Sequence, residues 1–276
     1  MNDLESFAKL VQALHPWRAH LIFVGGWAHR LHTLHPYANK LEFQPIFTRD
    51  TDLAFEHSVP LAGSIKAALL DKGFKEEFSG EARPPAAHYK LGSEVSGFYA
   101  EFLTPMVGSA TRRGGEPNTT MTAAGISAQK IRHLGVLLVD PWVMTVGPVN
   151  GIPLDGPVDL QVANPLCFMV QKFLIKKNRT AAKHRQDLLY VFDTIQLFGH
   201  MLPHFKESWE TVVAPKLDPG EVKTVLQECT ESFATVTDAI RGAASIPQDR
   251  KVSPEELRAT CEFAFQQILS ASARKI

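Results

Sequence analysis

The chain has 276 residues, 45% of them hydrophobic and 21% charged, which excludes a disordered or fibrous protein and leaves one large domain or two modest ones. Lys plus Arg and Asp plus Glu both number 29, so no global positive field argues for nucleic acid, and only a local basic patch could serve that purpose. The three cysteines, Cys167, Cys229 and Cys261, lie far apart and suggest neither a zinc site nor a disulfide framework. The first residues lack the basic and apolar regions of a signal peptide, and no apolar run reaches the roughly 18 residues of a membrane span. A cytoplasmic protein with no membrane partner is expected.

Leu4, Phe7, Leu10, Val11 and Leu14 recur at helical spacing and predict a helix over 3–14, with Asp3 placed to cap it. The apolar run 19–24 reads as a buried strand, Gly25-Gly26 as a tight turn, and 27–34 as a helix. Residues 36–44 look like a loop or insertion. A second strand is expected at 52–55, a helix at 61–70 ending near Gly73, and further strands at 74–78, 87–91 and 97–103. Residues 105–127 are rich in Gly, Thr, Ser and Pro and are expected as a loop. Past residue 160 the texture turns helical. Asn164-Pro165 supplies a helix cap and a first-turn proline, and Ser253-Pro254-Glu255-Glu256 opens a last helix over 254–271. The expected division is an α/β domain over 1–160 and a helical domain over 161–276.

The chemistry gathers in Phe23-Val24-Gly25-Gly26 and Thr48-Arg49-Asp50-Thr51-Asp52-Leu53. Asp50 and Asp52 are two apart, so on a strand both carboxylates point to one face. A hard divalent cation such as Mg²⁺ takes one or two carboxylates together with substrate phosphates. The Gly-Gly turn permits close backbone approach, and the helix it opens offers unpaired N–H groups and a positive dipole end to a phosphate. Glu101 sits in the middle of an apolar strand. A buried carboxylate needs a partner or a metal, and Glu101 would complete a two-metal site.

Further along, Lys172, Lys176, Arg179 and Lys183 are spaced 4, 3 and 4 apart. On one continuous helix they would form a cationic stripe, with Asp187 four residues beyond Lys183 and able to orient it. A solvated helix face is the bland reading of the same stripe. His29, His32 and His35 recur every three residues but lack the company of a zinc motif. Trp27 and the many phenylalanines read as core.

The ordered set Phe-Val-Gly-Gly-x-Ala at 23–28, Thr-x-Asp-x-Asp-Leu at 48–53, Glu-Phe-Leu-Thr-Pro at 101–105 and Asn-Pro-x-x-Phe-x-x-x-Lys at 164–172, followed by Arg179, Lys183 and Asp187, resembles the DNA polymerase β-type nucleotidyltransferase superfamily. It is closest in wording to the minimal bacterial branch that includes the abortive-infection (AbiEii-like) and mycobacterial toxin nucleotidyltransferases. One departure is the 24-residue spacing from Gly26 to Asp50, which makes 36–46 an insertion, expected at the mouth of the site.

The resemblance implies an α+β fold, a short mixed sheet flanked by helices, followed by a helical C-terminal domain that closes a cleft. It implies that Asp50, Asp52 and Glu101 are catalytic and hold Mg²⁺, with Mn²⁺ as a substitute. Gly25, Gly26, Thr48, Lys172, Arg179, Lys183 and Asp187 would serve the nucleotide. The implied reaction moves a nucleoside monophosphate from an NTP to an acceptor hydroxyl. An RNA 3′ end, notably of tRNA, is the acceptor that the branch suggests, within a toxin–antitoxin or phage-defence system that would include a cognate antitoxin. Transfer to a protein or to a small molecule such as an antibiotic, and a catalytically silent nucleotide-binding module, are the rival readings.

Overall fold

The computed structural model describes residues 3–44, 46, 48–79, 86–92, 97–111 and 114–270. The chain forms two compact units. One comprises Met1–Leu34 and Phe47–Ala163, the other His35–Ile46 and Asn164–Ile276. Among the described residues no helix is long and apolar enough to cross a membrane.

The first unit is built on a mixed sheet. Its strands are β1 (Ile22–Val24), β2 (Asp50–Ala54), β3 (Lys75–Ser79), β4 (Ala86–Leu91), β5 (Phe98–Pro105), β6 (Thr120–Ala123), β7 (Ile126–Ile131), β8 (Trp142–Val146) and β9 (Val158–Val162). They run in the order β3-β4-β5-β2-β1-β9-β8, with β7 also paired to β5 and β6 to β7. The β1–β9, β2–β5 and β5–β7 pairs are parallel and the remaining pairs antiparallel. The α-helices α1 (Asp3–Leu14), α2 (Gly25–His32) and α3 (Ile65–Asp71) accompany the sheet. Ser64 caps α3 by accepting the Ala67 N–H at 3.1 Å.

Alternation along β2 and β5 decides which side chains reach the core. Leu53, Ala100 and Phe102 are buried on one face and share a core with α1 and α2, where Phe7 stacks on Trp27 at 4.3 Å and Trp27 meets the edge of Phe98 at 5.6 Å. Each fully buried Phe of this kind contributes about 1.5–3 kcal/mol by leaving water. The opposite face of β2 and β5 carries Asp50, Asp52, Tyr99 and Glu101.

The predicted elements of this unit are present with shifted ends, and one expectation is corrected. Residues 105–127 are not all loop, because β6 and the start of β7 lie within them as an antiparallel hairpin. Its two connecting residues, Ala124 (φ 47°) and Gly125 (φ 77°), are both left-handed, the geometry that matches the twist of a two-residue hairpin. The Gly- and Thr-rich composition concealed this turn.

The second unit contains α4 (Pro165–Ile175), α5 (Ala181–Phe198), α6 (Leu202–Ser208), α7 (Pro219–Phe233), α8 (Asp238–Ala244) and α9 (Pro254–Leu269). Asn164 caps α4, accepting the Cys167 N–H at 2.9 Å, and Ser253 caps α9. Phe173, Phe233 and Phe265 pack together with ring centroids 5.1–6.2 Å apart. The segment read as an insertion packs in this unit. Asn39 donates its backbone N–H to the Leu197 carbonyl at 2.8 Å, and the Gln44 N–H reaches Asp249 Oδ2 at 2.8 Å. The Arg250 guanidinium lies 3.3 Å from the centre of the Phe43 ring.

Candidate active site

Asp50 and Asp52 lie on the same face of β2, on either side of the buried Thr51. Parallel pairing puts Asp52 in register with Glu101 of β5 and Asp50 in register with Tyr99. Three carboxylates thus share one patch of the sheet. Burial pushes the Glu101 carboxyl above its ordinary range and the Asp50 charge pushes it further, while His88 acts in the opposite sense.

Antiparallel pairing sets Asp52 beside Val24, and the next residue, Gly25, begins α2. Gly25 is left-handed at φ +65°, and a Cβ built on it would overlap Asp52 Oδ2. The glycine therefore brings the start of α2 against the Asp52 carboxylate, an approach that no larger residue allows. Gly26 follows in the first turn. Thr48 donates its hydroxyl to the Asp50 carbonyl at 3.4 Å, which braces the entry to β2.

Among the described residues no three His, Cys, Asp or Glu side chains are gathered into a ready-made metal cage. The arrangement fits a hard divalent ion in another way. Such an ion needs only one or two protein carboxylates, with phosphate and water completing its shell. Exposed Asp50 and half-buried Asp52 can supply those two.

Around the acids lie residues that the sequence reading did not single out. His88 of β4 is in register with Glu101, and Lys90 with Tyr99. Glu77 of β3 bonds His88 Nε2 at 3.2 Å and lies 3.3 Å from Lys90 Nζ. Lys90 is only 8% exposed, and its ammonium sits 5.7 Å from the centre of the Tyr99 ring. A histidine and a lysine alternating through an otherwise apolar strand were the available signal.

The basic residues of the second unit differ from the expected stripe. No single helix runs from 172 to 187. Helix α4 ends at Ile175, a tight turn covers Lys176–Asn178, and Arg179 is extended at ψ 141° before Thr180 caps α5. Lys172 is buried, with its ammonium 3.1 Å from Asp187 Oδ1 and 4.7 Å from the centre of the Phe168 ring. Arg179 Nε donates to Asp187 Oδ2 at 2.8 Å. The partners of Asp187 are thus Lys172 and Arg179, and Lys183 stands exposed on the first turn of α5. Buried Glu228 of α7 engages Lys176 at 2.8 Å and Lys177 at 3.3 Å. His32 has a structural bond, its Nε2 lying 2.8 Å from the Ala163 carbonyl. Trp27 is core.

Acids in register beside a glycine-opened helix are suited to chemistry at phosphates. Residues 2–214 match the protein family described as nucleotidyltransferase, well over half of the chain, and the protein belongs to that family of enzymes. Among solved structures it is similar to MenT4, a nucleotidyltransferase toxin from Mycobacterium tuberculosis H37Rv, at 12% identity and a TM-score of 0.39, over 98% of this chain and 84% of that one. No curated protein matches the chain.

Proposed function

We propose that the enzyme moves a nucleoside monophosphate from an NTP to an acceptor hydroxyl, using divalent metal held by Asp50 and Asp52 with Glu101 alongside. The observation that carries this reading is the register of Asp52 with Glu101, on the face that also bears Asp50. When bound, Mg²⁺ or Mn²⁺ would neutralise the charge that develops on the transferring phosphate. Gly25 and Gly26 would turn backbone N–H groups toward the triphosphate at the start of α2. Thr48 would hold the strand entry that aims Asp50. Glu101 would accept the proton of the attacking hydroxyl or orient it, a role suited to a half-buried carboxyl beside the metal-binding acids.

For the acceptor we favour an RNA 3′ end, tRNA being the branch's suggestion. Residues 172–187 carry six cations in a chain that is neutral overall, and Asp187 and Glu228 engage four of them, Lys172, Arg179, Lys176 and Lys177. Arg179 and Lys183 would meet phosphate there, and the Lys172–Asp187 pair would hold Arg179 in place. Such a segment provides the local field that a phosphate backbone requires. A role as a toxin with a cognate antitoxin, in the cytoplasm, is the biological setting that we attach to this acceptor.

The test is incubation of purified protein with each labelled NTP, Mg²⁺, total RNA and total protein, followed by mass analysis of both pools. Label on RNA termini that is lost in Asp52→Asn is expected. Label on protein alone would overturn the RNA acceptor. Absence of label from every pool, with NTP still bound, would favour the silent module.

A further inference from the structure

Glu101 has a neighbour on each side along one line across the sheet. On β2 the neighbour is Asp52, and on β4 it is His88. The line continues to β3, where Glu77 is in register with His88. Paired residues of adjacent strands present their side chains on the same face at contact range. The line therefore reads Glu77, His88, Glu101, Asp52. Three of these four groups, Glu77, Glu101 and Asp52, are carboxylates. The imidazole is the one member able to donate a hydrogen bond.

We propose that His88 is a positioning residue for Glu101, fixed in turn by Glu77. This rests on the reading of Asp50, Asp52 and Glu101 as the metal-binding acids. Two contacts fix the ring. Its Nε2 bonds Glu77 Oε2 at 3.2 Å, and its plane meets the Tyr99 ring edgewise, with centroids 5.5 Å apart and 65° between planes. The His88 side chain is 15% exposed, so the ring has little room to turn away. Lys90, held by the same Glu77, adds a cation to the cluster. A carboxylate oriented by a braced imidazole, itself anchored by a second carboxylate, follows the logic by which outer groups aim metal ligands.

The test uses the full chain and Mn²⁺ alone as the probe, with affinity measured by calorimetry. Steady-state transfer provides the second readout. Groups of this kind typically change metal affinity or activity about 10–100-fold. His88→Ala is expected to weaken Mn²⁺ binding at least about tenfold and to lower kcat while the KM for NTP stays within about twofold. Glu77→Gln, which keeps the shape and removes the charge, should act in the same direction less strongly. It carries the test should His88→Ala fail to fold. His88→Gln should recover part of the loss because it restores a donor, which a merely structural role would not predict. Mn²⁺ binding lost in Asp52→Asn but unchanged in His88→Ala and Glu77→Gln overturns the role of His88 alone. Mn²⁺ binding that survives Asp52→Asn overturns the metal reading and this inference with it.

Discussion

Gly25 and Asp52 are packed so closely that the glycine has no room for a Cβ: one built there would overlap the Asp52 carboxylate oxygen. Two strands create the contact. The last residue of β1, Val24, is paired with Asp52, and the chain must turn at once into α2. A left-handed residue makes that turn, and only glycine makes it without strain. Gly25→Ala should therefore do two things. The backbone conformation alone should lower stability by about 1–2 kcal/mol. Displacement of the Asp52 carboxylate should lower transfer far more than that figure implies. Urea unfolding and transfer assays on the same preparation check both. Wild-type transfer by Gly25→Ala would show that the carboxylate need not sit where the glycine allows it.

Asp52→Asn keeps the volume and removes the charge. If the β2 acids hold the metal, the transition state loses electrostatic stabilisation in a site arranged to supply it, and turnover should fall at least about a hundredfold. The fold should survive, because Asp52 lies on the face opposite the core of Leu53, Ala100 and Phe102. Circular dichroism and thermal melting confirm the fold, and initial rates at saturating NTP give the loss. A rate within a few-fold of wild type would remove Asp52 from the chemistry.

Local signals made much of this legible. The α1 periodicity, the Asn164-Pro165 start of α4 and the Ser253 cap of α9 are encoded within a few residues, and the elements stand where those signals put them. The shared face of Asp50 and Asp52 follows from strand alternation alone. What escaped depends on partners distant in sequence. Nothing near Gln44 announces Asp249, 205 residues away, so the segment 36–46 could be recognised as extra but not assigned to the helical unit. The pairing of His88 with Glu101 requires the sheet order. The cationic stripe failed for a local reason. Thr180 is a good helix cap, and a cap at that position ends any helix approaching from Ile175.

The burial of Lys172 alters what its removal should do. Its ammonium and the Asp187 carboxylate are 7% and 4% exposed. Deleting one partner of a buried pair leaves an uncompensated charge and costs about 3–5 kcal/mol. Asp187→Ala, which strands the buried Lys172 ammonium, should destabilise the helical unit by an amount of that order, and Lys172→Ala by less, because Arg179 still pairs with Asp187. The double variant should cost less than the sum of the two, since neither buried charge then remains and the partly exposed Arg179 is left to solvent. Exposed Lys183 should behave differently. Lys183→Ala should change stability by no more than about 0.5 kcal/mol and should reduce the salt dependence of RNA binding by about one unit of slope. Denaturant titrations give the first set, and RNA affinity at two salt concentrations gives the second. A large stability loss in Lys183→Ala would mean that it braces the fold.

Asp193 provides a pH prediction independent of the site. It is fully buried on α5 with Arg250 as its partner. Burial pushes its carboxyl up from 3.8 to about 6, with the guanidinium pulling only partly in the other direction. The folded chain therefore holds this proton more tightly than the unfolded chain. Between pH 3.8 and about 6 the native state binds more protons at Asp193, so stability from this group must fall as pH rises. The contribution is complete below the unfolded value and lost once pH passes the folded one. A shift of this size corresponds to at most about 3 kcal/mol. Asp193→Asn cannot titrate, so the difference in unfolding free energy between wild type and variant should shrink by up to that amount from pH 4 to pH 7. Urea unfolding at four pH values across the interval measures it. A difference that stays constant, or that grows with pH, would mean that Arg250 overcomes the burial and keeps Asp193 ionised throughout.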